Sequence, residues 1–286
     1  MISIIICSRF PSMLAQLQNN IAATIGMPHE IIAINNVDGQ YGICQAYNIG
    51  ARQSRYGTLC FMHEDIKFHT DGWGQSVTNA LSDKTIGVLG VAGGTYQPKV
   101  PSAYWSSGPE YIRMQVLHTV AQGELILDLI NPDSQPIAEV AVADGVWLCS
   151  RREVWLKYQF DEQTFPGFHF YDIDYCTAIA SQYRICITFG VLLEHFSKGS
   201  MNEQWLLAAL DYQQKWAAQL PFGPATLSQP TVAAIEKRAL TEYVNRLLKS
   251  TVSTVLIWQQ LWRLAKYGLS RETIGLVRRL IMRRYL

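Results

Sequence analysis

Long apolar runs are missing from this 286-residue sequence: Ile2 to Cys7 is broken by Ser3, and Val252 to Trp258 by Ser253 and Thr254. A spanning helix needs about 20 consecutive apolar residues, so no transmembrane segment is expected. The opening MISIIICSRF has no basic leader, no long apolar stretch and no small-residue cleavage site. It does not read as a secretory signal, and a cytoplasmic location is expected. Cysteines are few, at positions 7, 44, 60, 149, 176 and 186, and none stand as C-x-x-C or at zinc-ligand intervals with histidine. The spacing favours ordinary buried, reduced thiols over disulfides. Phosphate loops are missing as well: there is no G-x-x-x-x-G-K-[ST], and GVLGVAGG lacks the spacing and context of G-x-G-x-x-G. Nor is there a G-x-S-x-G elbow or an H-E-x-x-H pair, which argues against serine hydrolases and zincins.

Charge is also sparse, at 16%, whereas 49% of the residues are hydrophobic, enough for one large core and a small appendage. Disorder and a coiled-coil rod are excluded as the main architecture. The net charge of +1 hides an asymmetry. Residues 231–286 carry eleven basic and three acidic side chains, a net +8, which leaves a net −7 on residues 1–230. That break, beside the Pro- and Gly-bearing stretch Pro221 to Pro230, marks a candidate boundary and suggests an anionic partner for the tail.

Ile2 to Cys7 reads as a buried strand, SMLAQLQNNIAATI as a helix and EIIAIN as a second strand. Helical Ile43 to Ser54, strand Thr58 to Met62, helical Gly72 to Leu81 and strand Ile86 to Ala92 continue the alternation. The expected class is therefore α/β, with a mostly parallel sheet flanked by helices. Gly93 to Val140 mixes turn residues with short apolar pieces and reads as an insertion of hairpins and loops. Beyond it come a strand passing into a helix (VAVADGVWLCSRREVW), the loop FPGFHFYDID, a helix to Tyr183 and a strand Arg184 to Leu193. After Gly199 the chain reads as helical, with Thr231 to Leu264 holding one long or two shorter helices and Ser270 as N-cap of the last.

Ligands of such sheets bind beyond the carboxyl ends of the strands, which directs attention to Ser8 and Arg9, Asn35 and Asn36, and His63 to Asp65. His63, Glu64 and Asp65 stand where an apolar strand stops, either as a polar turn or as hard ligands for a divalent cation. Asp172 and Asp174 open a helix, as N-caps or, for Asp172, as a general base. His195, just after a strand, is structural or a ligand, and Asp144 before Gly145 reads as a turn-forming pair. Trp105, an aromatic in a loop, reads as packing or as a stacking surface.

The ordered blocks ISIIICSR, EIIAINN, GICQAYNIGARQSRYGTLCFMHEDI, DGVWLCSRREVW, GFHFYDIDYC and LLEHFSKGS resemble the family-two glycosyltransferases of GT-A fold, most nearly the bacterial glycosyltransferase-like branch. The resemblance covers roughly Met1 to Leu220. It implies a catalytic domain over residues 1–220 and a basic helical extension over 221–286. It also implies a nucleotide-diphosphosugar donor, a UDP-sugar by preference, a divalent cation (Mn²⁺ or Mg²⁺) and inversion at the anomeric carbon. The acceptor would be a hydroxyl of a glycan or lipid-linked sugar, as in cell-surface polysaccharide synthesis. Asp65 matches the last acid of the family's D-x-D motif, His63 occupies the first position and Glu64 lies between them. His195 matches a histidine that contacts metal or diphosphate. Ser8, Arg9, Asn35 and Asn36 fall at nucleotide contacts, with amides where the family has aspartate. Asn48 and Arg52 match the segment beneath the diphosphate, and Asp144 faces sugar and acceptor. Asp172 matches the catalytic base, with Tyr171 in place of the usual glutamate.

A sugar nucleotidyltransferase would want a glycine-rich loop where this chain has SRFPS. A catalytically silent nucleotide-sugar-binding module stays open because His63, Asn35 and Tyr171 are substituted. The tail helices either lie against an anionic membrane, at its inner face, or pack on the catalytic domain or on a second subunit; packing is the expectation for Thr231 to Leu264, and the last helix is open between the two. Nucleic acid is not expected, since the basic residues lie in helices with few stacking aromatics and the cleft domain is acidic.

Overall fold

The protein is described here by a computed structural model covering residues 1–119, 124–197, 199–223 and 226–282. The first half runs β1 (Ile2–Ser8), α1 (Pro11–Thr24), β2 (His29–Asn35), α2 (Ile43–Gln53), β3 (Thr58–Met62), β4 (Ile66–Phe68), α3 (Trp73–Ala80), β5 (Ile86–Gly90) and β6 (Ala92–Gly94). Then come β7 (Ile112–Thr119), β8 (Leu125–Ile130), β9 (Ile137–Val140), β10 (Val142–Ala143), β11 (Trp147–Arg151), α4 (Arg152–Lys157), α5 (Tyr171–Ile179), β12 (Arg184–Thr188) and β13 (Leu193–His195). The last elements are α6 (Glu203–Lys215), α7 (Gln229–Leu247), α8 (Thr254–Ala265) and α9 (Arg271–Met282).

Two compact units emerge, Met1–Thr95 with Ile112–Gly199, and Tyr96–Tyr111 with Ser200–Leu286. The expected boundary at Pro221 to Pro230 falls inside the second. The first unit is built on a seven-stranded sheet in the order β2-β1-β3-β11-β5-β12-β9. Five of these strands run one way, while β11 and β9 run against them. The sheet is thus mixed. Its β-branched strand β1 is buried along its whole length, as a central strand covered on both faces must be. Helix α2 lies close on β1 because Gly50 has no side chain: a Cβ there would meet Ile5 Cγ2 at 2.4 Å. A smaller sheet, β10-β6-β7-β13-β4 with β8 on β7, completes the unit.

Two expectations change. The strand expected over Arg184 to Leu193 is divided: β12 ends at Thr188, and β13 joins the second sheet, where it pairs with β4 and β7. The cysteines are not all reduced. In the antiparallel pair β3 and β11, Cys60 stands directly opposite Cys149, and the two form a disulfide; Cys7, Cys44, Cys176 and Cys186 are free and buried. The sheet register makes that pair across 89 residues of sequence, a proximity that spacing along the chain does not carry.

In the second unit, Thr231 to Leu264 holds two helices, α7 and α8. Asn202, Ser228, Ser253 and Ser270 cap α6, α7, α8 and α9, each accepting a main-chain N–H of the first turn. Segment Tyr96–Tyr111 belongs with these helices through the buried Glu236 of α7. Its carboxylate accepts from Tyr96 Oη (2.9 Å), Lys99 N (2.8 Å) and Val100 N (3.1 Å). In the same segment Trp105 packs edge-on against Tyr104. Arg283 and Arg284, counted in the basic tail, lie outside the described residues. Among the described residues, no helix is long and apolar enough to cross a membrane.

Candidate functional site

Three elements of the first unit deliver a cluster of titratable groups to the carboxyl end of β3. The chain leaves β3 through His63, Glu64 and Asp65; β13 ends at His195; and α5 begins with Tyr171 and Asp172. His63 Nδ1 lies 3.7 Å from Asp65 Oδ1, and His195 Nε2 lies 3.4 Å from Asp65 Oδ2. One donor atom from each residue sits within 4.8 Å of the others. Ser197 Oγ is 3.2 Å from His195 Nε2. Burial pushes the Asp65 carboxyl up, but the hydrogen bond and charge of His195, with the charge of His63, outweigh it and hold Asp65 well below the usual carboxylate range. Burial lowers the His63 imidazole and favours its neutral form, against the opposing pull of Asp65.

Two imidazole nitrogens and an ionised carboxylate suit a divalent transition metal. Two atoms bound at about 2.1 Å from one ion can be separated by at most about 4.2 Å. The His63–Asp65 and His195–Asp65 separations satisfy this, each to its own oxygen of Asp65. With two imidazoles, the donor set suits a transition-metal ion better than Mg²⁺, which prefers oxygen ligands throughout.

The second part of the cluster is joined to the first through one peptide unit. Tyr171 Oη donates to Gly145 O (3.0 Å) and lies 2.9 Å from His63 Nε2. Gly145 N donates to Asp172 Oδ2 (2.7 Å). Phe170, at φ 63°, turns the chain so that Tyr171 and Asp172 start the helix inward; a non-glycine residue in that region is the kind of local strain that functional sites hold. Burial, and then the charge of Asp144, push the Asp172 carboxyl up to about 7, against main-chain N–H groups of Ile173, Gly145 and Asp172 itself. Asp144 makes the turn expected of an Asp-Gly pair, Oδ1 accepting from Val146 N (2.9 Å), while its charge reaches Asp172. Asp174, buried in the first turn of α5, donates its main-chain N–H to Phe170 O.

The other residues singled out in the sequence gather at the ends of β1 and β2 or lie elsewhere. Glu64 is not among the three clustered donors; it clamps the loop after β1, accepting from Ser8 Oγ (2.7 Å), Arg9 N (2.9 Å) and Phe10 N (3.1 Å). Arg9 is exposed. Asn36 is fully buried and closes the following loop, donating to Tyr41 O (2.9 Å) and accepting from Tyr41 N (2.9 Å). Asn35 is exposed, with Oδ1 accepting from Val37 N (3.2 Å). Asn48 and Arg52 are not bonded to the cluster. Asn48 is buried, donating to Phe160 O (2.8 Å) and accepting from Trp155 Nε1 (3.1 Å) and Phe160 N (3.2 Å); Arg52 is exposed and donates to Gln159 Oε1 (3.3 Å). Two participants escape a reading of the sequence. The Tyr171 hydroxyl shows there only as a departure from a glutamate, and the Gly145 peptide only as half of a turn signal.

The model of the glycosyltransferase like family matches residues 3–217. No curated protein matches the chain in sequence. Among solved structures it is similar to GalNAc-T7 with UDP, GalNAc and Mn²⁺ (TM-score 0.54, 11% identity), with 98% of this chain aligned to 54% of that one. This chain thus spans about half of that protein's length. It is also similar to the mannosyltransferase PcManGT from Pyrobaculum calidifontis in complex with GDP-Man and Mn²⁺ (TM-score 0.52, 13% identity; 96% of this chain, 78% of that one). The chain has the GT-A fold and belongs to the glycosyltransferase like family.

Proposed function

We propose that the protein is a metal-dependent, inverting glycosyltransferase that moves a sugar from a nucleotide diphosphosugar, a UDP-sugar by preference, to a hydroxyl of a glycan or lipid-linked acceptor. One observation carries the reading: a cation-binding triad and a carboxylate raised to about 7 stand at the end of one strand, tied together by the Gly145 peptide. His63, Asp65 and His195 would hold the divalent cation, Mn²⁺ by preference, which would supply positive charge beside the leaving diphosphate. Asp172 accepts the acceptor's hydroxyl proton while the oxygen bonds to the anomeric carbon and the carbon–phosphate oxygen bond breaks. A base near 7 is well matched to that task, being ionised above neutrality yet still basic enough to draw the proton. Asp144 adds to this basicity through its charge.

On the nucleotide side, Glu64 presents the Ser8–Phe10 loop, and the exposed Arg9 guanidinium meets phosphate. Asn36 spends its amide on Tyr41, so Asn35 is the one left to read the base edge. Arg52 and Asn48 support the loop around Phe160 in this reading.

Acceptor and location draw on the second unit. Val255, Trp258 and Trp262 recur at helical spacing along α8 and are exposed, Trp262 by 68%, with exposed Leu269 just beyond the helix. Lys266 Nζ sits 4.0 Å from the centre of the Trp262 ring. An apolar stripe with indoles and basic groups fits the headgroup region of an anionic membrane, at the cytoplasmic face where a lipid-linked acceptor would be met. The test of the activity is release of nucleoside diphosphate from a panel of UDP- and GDP-sugars with Mn²⁺ and mixed glycan or lipid-linked acceptors. Mn²⁺-dependent release is expected; none from any donor would favour the silent binding module.

A further inference from the structure

The surroundings of Tyr171 give its hydroxyl a task that a carboxylate at that position could not perform. We propose that Tyr171 is a positioning residue that keeps the proton of His63 on Nε2 and leaves Nδ1 bare on the side of Asp65; this rests on the reading of His63, Asp65 and His195 as the cation site.

A count of protons assigns the donors. Gly145 O can only accept and lies 3.0 Å from Tyr171 Oη: a phenolic proton given to His63 would leave two oxygens facing each other unbridged, and the buried Tyr47 hydroxyl beside Tyr171 is a weaker acceptor than a carbonyl, so the single phenolic proton goes to Gly145 O. His63 Nε2 is 2.9 Å from the same phenolic oxygen. Two bare lone pairs would repel at that distance; the contact is a hydrogen bond only if Nε2 carries hydrogen. A neutral imidazole has one N–H, so Nδ1, which lies 3.7 Å from Asp65 Oδ1, is a free lone pair. That nitrogen is the one able to take a metal.

The arrangement is built in. Tyr171 is buried, and its hydroxyl reaches the Gly145 peptide only because Gly145 has no side chain: a Cβ there would stand 2.0 Å from the Tyr171 oxygen. The same peptide's N–H is held by Asp172 Oδ2. One phenol thus fixes the tautomer of a cation ligand, and the peptide it holds also orients the proton acceptor. A carboxylate at position 171 could accept from His63 but could not donate to Gly145 O. A tyrosine here and a histidine at position 63 therefore make chemical sense as a pair. Partners that orient metal-bound histidines commonly contribute about 10–100-fold to metal affinity.

The experiment uses the full chain with ¹⁵N-labelled histidine, without nucleotide. Long-range ¹H–¹⁵N spectra, with His63 assigned by its loss in His63→Gln, report the tautomer directly, and electron paramagnetic resonance of free Mn²⁺ reports affinity. The wild type should show His63 as the Nε2–H form. Tyr171→Phe should lose that preference and bind Mn²⁺ about 10–100-fold more weakly. An Nδ1–H tautomer in the wild type overturns the inference without any variant, and so does an unchanged tautomer or an unchanged Mn²⁺ affinity in Tyr171→Phe. Failure of the underlying site is separate: Mn²⁺ affinity that Asp65→Ala leaves intact would refute the triad as the cation site, whatever the tautomer.

Discussion

Substituting Asp172 by asparagine tests the assignment of the base in two ways that pull in opposite directions. The amide keeps the shape and can still accept the Gly145 N–H, which Asp172 holds at 2.7 Å, but it cannot take a proton from the acceptor. General-base removal typically costs about 10²–10⁴-fold in rate, so kcat should fall by that order with the donor KM little changed. The stability of the fold should move the other way. Asp172 is held up at about 7 when folded, by burial first and by Asp144 second, against an ordinary value of 3.8 when unfolded. A group raised on folding contributes stability that is fully present below the unfolded value and is lost as pH rises through the folded one. At pH 8 the wild type therefore carries an ionised, poorly solvated carboxylate that the Asp172→Asn variant lacks. The variant should melt higher there, with the difference vanishing near pH 4. For a chain of this size each kcal/mol shifts the melting midpoint by roughly 2–4 °C. The assays are steady-state release of nucleoside diphosphate, and thermal melts of the metal-free protein at pH 4, 6 and 8. The wild-type rate should also climb about tenfold per pH unit below 7 and level off above it. A variant with normal kcat would remove Asp172 from the chemistry; equal melting at pH 8 would show that the carboxylate is not strained by its surroundings.

Four further outcomes are expected. Gly145→Ala puts a methyl group where Tyr171 Oη stands, 2.0 Å from the new Cβ, so Mn²⁺ affinity and turnover should fall together, measured by calorimetry and nucleotide release; retention of both would mean the close approach is dispensable. Glu236→Ala strips the acceptor from Tyr96 Oη, Lys99 N and Val100 N, and should cost the second unit about 2–4 kcal/mol in denaturant unfolding, whereas a loss under about 0.5 kcal/mol would contradict its role as the tie for segment Tyr96–Tyr111. Thiol titration of the unfolded, unreduced chain should count four cysteines, because Cys60 and Cys149 are paired; a count of six would restore the reduced state expected from spacing. For the membrane reading, the protein should sediment with vesicles containing anionic lipid and not with neutral ones, and a Trp258→Ser, Trp262→Ser pair should lose most of that binding; equal sedimentation of both would remove α8 from the membrane.

The alternation of strands and helices is legible because β1, β3 and β5 are short apolar runs and α2 carries a stripe of apolar residues on one face. What lies beyond the sequence depends on contacts across it. Strand order, and with it the opposition of Cys60 to Cys149, follows from register between β3 and β11, which no local pattern encodes. The same holds for segment Tyr96–Tyr111, whose partner Glu236 lies far along the chain. Within the site, the residue types His63, Asp65, His195 and Asp172 are legible from their places after strands and at a helix start, and the fold brings them together. Glu64 and Asn36, just past strands, and Asn48, within α2, look alike in the sequence as polar residues free to meet a ligand. Only the fold shows that each has its polar atoms turned on the surrounding main chain. A hydrogen-bonding direction such as that of Tyr171 toward Gly145 is a property of three positions at once.

In the proposed reaction His63, Asp65 and His195 hold a divalent cation that in turn secures the donor's diphosphate. Calorimetric binding of UDP, with GDP and dTDP as controls, each with and without Mn²⁺, on the wild type and Asp65→Ala, tests it most directly. The predicted result is binding of one nucleotide, UDP by preference, that requires Mn²⁺ and is lost in Asp65→Ala. Binding of none of the three, or binding indifferent both to Mn²⁺ and to the substitution, would contradict it.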